Sequence, residues 1–203
     1  MERRELLKMI AVLTGGAVIG GEVFLSGCKT AAKKDAGFST ENIAMLDEVG
    51  ETIIPATNTP GAKAAKIGDF MKTMVTDCYT QAEQDAFTKG IGQLDDASDK
   101  ANGKSFMEST PEQRHSLLVA LEKEAKDFNG KKNDSEKSAR ESSKTGGKDF
   151  TAAPVHYYTM MKQLTLFGYF TSKPGATQAL RNVPVPGKYI GDLPYKKGDK
   201  AFG

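Results

Sequence analysis

Tryptophan is absent from this sequence, and histidine and cysteine occur only twice each. Two cysteines, Cys28 and Cys78, cannot supply an iron–sulfur cluster or a four-thiolate zinc site, and no C-x-x-C-H offers covalent haem attachment. Neither G-x-G-x-x-G nor a P-loop occurs, so the usual dinucleotide and triphosphate cradles are missing. His115 and His156 lie far apart in the chain, and Ser116 beside His115 makes no triad, because neighbours on a helix point in different directions. The same divergence makes Asp95-Asp96 a poor catalytic pair; a solvated helix face explains them. Nor is there an excess of one charge: 28 basic residues meet 26 acidic ones, for a formal net charge of +2. That balance argues against a nucleic-acid partner, which requires a clustered basic surface. Beyond Cys28 no apolar run is long enough to cross a bilayer.

What is present begins at the N-terminus. Arg3, Arg4, Leu7 and Lys8 resemble the R-R-x-[FL]-L-K pattern of a twin-arginine (Tat) export signal. Met9 to Leu25 is apolar but glycine-rich and carries Glu22, which suits a removable leader better than a spanning helix. Leu25-Ser26-Gly27-Cys28 resembles a bacterial lipobox. Cleavage before Cys28 would leave a thiol to be diacylated, and several acyl chains anchor stably where one binds marginally. Residues 1–27 are therefore expected to be a cleaved Tat-type lipoprotein signal peptide. Residues 28–37, small and polar, are expected to tether the protein to the periplasmic side of a bacterial membrane.

Residues 38–203 read as one mostly α domain, a bundle of about five helices with an irregular Pro/Gly-rich tail. Ser39 caps the first helix, Phe38 is placed to staple onto Ile43, and Ile43, Leu46, Val49 or Gly50, and Ile53 form its face up to Pro55. Residues 55–62 are a loop. Ile67, Phe70, Met71, Met74, Val75 and Cys78 stripe a second helix, which places the Cys78 thiol on the buried side. Thr80 with Glu83 opens a third around Phe87, Ile91 and Leu94, and Thr110-Pro111 with Gln113 opens a fourth around Leu117, Leu118, Leu121, Ala125 and Phe128. Residues 130–148 contain no large apolar side chain and are expected to form a mobile loop. Pro154 is expected to begin the last helix, whose circumference is almost wholly apolar or aromatic, and prolines and glycines exclude a long helix after Lys173.

Three blocks in order, "ETIIPATNTPGAKAAKIGDFM" (51–71), "MKQLTLFGYFTS" (161–172) and "PVPGKYIGDLP" (184–194), resemble the small third subunit of gluconate 2-dehydrogenase. Asp192 and Phe202 depart from that family, whose members often carry a cysteine and a tryptophan there. The resemblance implies a helical accessory subunit with no catalytic, cofactor or metal residues of its own. It also implies an FAD-dependent partner of the glucose-methanol-choline type acting on a sugar or sugar acid, often beside a cytochrome c subunit. The Tat route carries folded cargo, so such a chain would escort, stabilise and tether its flavoprotein. Docking is expected on the last helix and tail, through Tyr158, Phe167, Tyr169, Phe170, Pro186, Gly187, Tyr189 and Tyr195. The alternative is a free-standing periplasmic lipoprotein that binds a small ligand or another envelope protein.

Overall fold

The computed structural model describes residues 38–146, 151–185, 187, 188 and 190–202, and only the backbone of 142–146. The expected leader, lipidation site and tether, including Arg3, Arg4, Leu7, Lys8 and Cys28, lie outside the described residues, as do Pro186 and Tyr189.

Among the described residues five α-helices follow one another: α1 (Thr40–Ile53), α2 (Ile67–Cys78), α3 (Gln81–Asn102), α4 (Pro111–Gly146) and α5 (Tyr157–Thr171). A 3-10 turn (Ala62–Ala65) precedes α2, and a short π turn (Gly175–Ala179) follows α5. The β-pairing among the described residues is one isolated parallel bridge, between Arg181 and Phe202. None of the described helices is long and apolar enough to cross a membrane.

The helix starts follow local chemistry. Ser39 Oγ accepts from the Asn42 amide at 3.2 Å, and the amide of Thr80 donates to Glu83 at 2.9 Å. At α4 the exchange is reciprocal: the Thr110 amide donates to Gln113 Oε1 at 2.9 Å, and the Gln113 amide to Thr110 Oγ1 at 3.3 Å. Each such cap satisfies amides that the first turn leaves without partners. Phe38, just outside α1, is buried with its ring 5.9 Å from that of Phe87.

Helix α5 lies at the centre, touching α1, α2, α3 and α4. The core around it is built from Leu46 and Val49 of α1, Met71 and Val75 of α2, Phe87 and Leu94 of α3, Leu118 and Leu121 of α4, and Met161 and Leu164 of α5. Each such side chain contributes roughly 1.5–3 kcal/mol on burial. The bundle closes tightly at Gly90, where a Cβ would lie 2.3 Å from Cβ of Tyr157, so only glycine lets α3 approach the start of α5 this closely.

Several expectations need correction. The segment expected to be a loop from 130 is helical to Gly146, continuing α4. It buries no large apolar side chain, but Lys, Glu, Ala and Arg are good helix formers and Lys132 pairs with Glu136 one turn on at 2.9 Å. Cys78 is exposed, because the buried stripe of α2 ends at Val75 and the helix stops at Cys78 before another turn can reach the core. Phe128 is half exposed, resting edge-on against the His156 ring at 5.5 Å. Helix α5 begins at Tyr157 rather than Pro154, since Asn129 Oδ1 takes the His156 amide at 3.0 Å and holds His156 extended. Asp95 does not sit on a solvated face: its Oδ1 accepts the amide of Phe106 at 2.7 Å, fixing a turn whose phenyl ring is fully buried.

Candidate docking surface

The half-buried carboxylates of the bundle are already engaged. Asp47 Oδ1 accepts the Gly68 amide at 2.8 Å, and burial raises its pKa above the ordinary carboxylate value. Glu48 bridges Arg114, at 2.8 Å, and Lys63. Arg114 also donates to the carbonyls of Phe106 and Met107, which ties the α3–α4 turn to α1. Glu51 wraps the loop that begins at Pro55, with Oε1 taking the Ala56 amide at 2.8 Å and Oε2 the Lys63 amide at 2.9 Å. His115 is exposed on α4. Among the described residues no group of three His, Cys, Asp or Glu is placed to hold a metal ion.

His156 is buried and serves as N-cap of α5, its Nδ1 accepting the Tyr158 amide at 3.3 Å. Burial lowers its pKa, and Glu124, with Oε1 3.9 Å from Nε2, opposes that shift in part. Burial also pushes the Tyr157 and Tyr158 hydroxyls up to about 12, so both are neutral at any physiological pH. Asn129 ties α4 to this corner twice, accepting from the His156 amide and donating to Thr159 Oγ1 at 2.9 Å. Beside it an open groove of about 760 Å³ runs between α3 and α4, with Lys89, Asp96, Lys100 and Glu124 among the polar residues and Phe128 among the apolar ones. Its charges are of both signs and show no convergence on one ligand chemistry.

The other end of α5 is different. Gln163, Leu166, Phe167 and Phe170 recur at helical spacing and share one face. That face is open: Leu166, Phe167 and Phe170 are 39, 54 and 41 % exposed. Most of the rest of the helix is buried, Tyr169 to 1 %. The Tyr169 hydroxyl donates to the Pro60 carbonyl at 2.5 Å, which locks the Glu51-bound loop onto the end of α5. Phe70 of α2 lies across Gly168, where a Cβ would come within 2.5 Å of the ring, and extends the apolar surface with its centroid 5.8 Å from that of Phe167. Glycine at 168 thus lets one ring support another that faces solvent.

After the π turn the chain makes a loop closed at its base. The Arg181 amide donates to the Ala201 carbonyl at 2.8 Å, Arg181 stacks over the Phe202 ring at 4.7 Å, and the Lys200 ammonium reaches the Gln178 carbonyl. Gly187 and Gly198 turn within it at φ 78° and 98°, a left-handed conformation that side-chain-bearing residues avoid. Val185, Ile190, Leu193 and Tyr195 are exposed along it.

The residues expected to dock therefore separate. Phe167 and Phe170 face outward on α5, and Gly187 and Tyr195 are exposed on the closed loop. Tyr158 and Tyr169 are core residues and offer a partner almost no surface, because the face of α5 on which they lie is covered by its own bundle. Phe70 is half-buried: it packs against the core, as the α2 stripe had placed it, and over the buried Gly168 its ring edges the exposed surface; the helical period gives a face but not its edge. Val185, Ile190 and Leu193 carried no periodic mark, since the loop is irregular.

Compared with known proteins, residues 40–187 match the family described as Gluconate 2-dehydrogenase subunit 3. That match includes α1 to α5 and the first part of the closed loop. No curated protein and no solved structure matches the chain.

Proposed function

This chain belongs to the gluconate 2-dehydrogenase subunit 3 family, and on that premise we propose that it is a non-catalytic accessory subunit that docks an FAD-dependent dehydrogenase of the glucose-methanol-choline type through the outer face of α5. The observation that carries the reading is the apolar stripe of Leu166, Phe167 and Phe170, supported from beneath by Phe70. A central helix needs no outward aromatic face for its own stability, and aromatic anchors commonly dominate interface energy. The closed loop flanks that stripe in sequence and adds Tyr195. The half-buried carboxylates and His156 are committed to capping and bracing, so the chemistry belongs to the partner, with FAD as its cofactor and in some assemblies a cytochrome c subunit as electron acceptor. The N-terminal patterns support export by the Tat route with the folded partner and retention at the periplasmic face by lipid on Cys28.

The test is co-purification of the flavoprotein with the full chain. Replacing Phe167 and Phe170 together by Ser is expected to abolish recovery of the flavoprotein while far-ultraviolet circular dichroism of this subunit stays unchanged. Undiminished recovery from the double variant removes the α5 face as the docking site.

A further inference from the structure

The near-neutral total conceals a division of charge along the chain. From Phe38 to Gly130 there are sixteen acidic and nine basic residues; from Lys131 to the end there are six acidic and thirteen basic. The closed loop is part of the basic portion, with Arg181, Lys188, Lys196, Lys197 and Lys200 against Asp192 and Asp199. Asp199 Oδ2 accepts the Lys196 amide at 2.9 Å, while Lys188, Lys196 and Lys197 stand exposed. The same loop exposes Val185, Ile190, Leu193 and Tyr195. An exposed segment that combines aliphatic and aromatic side chains with lysines, and whose own hydrogen bonds close its base, is shaped to be covered.

We propose that Lys188, Leu193, Tyr195, Lys196 and Lys197 of the closed loop form a docking element for an acidic protein surface, the carboxylate-bearing face of the dehydrogenase subunit, with Leu193 and Tyr195 making apolar contact and the three lysines meeting carboxylates around them. The inference rests on the accessory-subunit reading and names the chemistry of the partner's face. Two features favour protein over an anionic lipid surface. The loop is shaped in advance by its closed base, its left-handed glycines and Pro184 and Pro194, which lowers the entropy lost on docking; a lipid surface demands no particular shape. It also begins two residues after the π turn that packs against α5, so its base lies beside the helix that carries the stripe. Charge at the rim of such a contact governs association rate and salt dependence more than the strength of the apolar centre.

The experiment uses the full chain and the dehydrogenase subunit that co-purifies with it. Lys188→Glu, Lys196→Glu and Lys197→Glu are introduced together, with the corresponding triple Lys→Arg variant as the conservative control. The expected result is association weakened roughly tenfold or more by charge reversal and preserved by arginine. The native complex should loosen steeply with added salt, and the charge-reversed one should lose that dependence. Unchanged affinity and salt dependence in the reversed variant overturn the loop assignment and leave the α5 docking face standing. Failure of the native chain to retain any dehydrogenase subunit overturns the accessory reading and this inference with it. Sedimentation of the native chain, but not the reversed variant, with phosphatidylglycerol vesicles, while both retain the dehydrogenase equally, reassigns the loop to lipid and overturns the proposal.

Discussion

His156 holds the start of α5 with a neutral ring. Its Nδ1 is an acceptor for the Tyr158 amide, and a proton placed there would set two N–H groups against each other in a buried site. The folded-state pKa is lowered from 6.5 chiefly by burial, despite the nearby Glu124, so the unfolded chain takes up the proton first as pH falls. The stability this residue contributes is complete above about pH 6.5 and is lost as pH falls through that value and then through the lowered folded-state pKa. Asp47 acts lower on the scale and with the opposite sign, because burial raises its pKa and the folded state takes up the proton first. Thermal melts between pH 7.5 and 5 should thus show a decline in the native protein that His156→Asn, which keeps a capping acceptor but does not titrate, largely removes. Equal declines in both proteins would show that His156 is not the titrating latch.

At the scale of elements, α4 poses the clearest question, because its second half adds nothing to the apolar core. Beyond Asn129 its described side chains are charged, polar or small, and contacts such as Lys132 with Glu136 and the Ala153 amide with Glu136 Oε1 hold it at the surface. Such a helix should be separable from the core. Ser138→Pro is expected to reduce helical circular dichroism by the equivalent of a turn or two, since an interior proline costs about 3 kcal/mol locally. The thermal midpoint should hardly move, because fraying there exposes no large apolar side chain. A variant with undiminished helical signal would show that 130–146 is not helical in solution, as its composition alone had implied.

For the whole molecule, the proposal ties a compact bundle to an export and anchoring apparatus outside the described residues. Replacing Arg3 and Arg4 by Lys preserves charge but should leave precursor in the cytoplasm, detected by immunoblot of cell fractions; normal processing would remove the Tat reading. The α class, five helices and most of their inner faces were set by the sequence alone, because capping residues act within one turn and apolar spacing recurs every 3.6 residues. Ser39, Glu83, Gln113 and the stripe through Leu117, Leu121 and Ala125 were legible for that reason. Only the tertiary structure decided that Tyr158 and Tyr169 are core while Phe167 and Phe170 face solvent, with the half-buried Phe70 beside Phe167. A helix apolar around its circumference carries no mark of which side its neighbours will cover. That choice is made by contacts distant in sequence: Gly90 admitting Tyr157, Gly168 admitting Phe70, and the Tyr169 hydroxyl reaching Pro60.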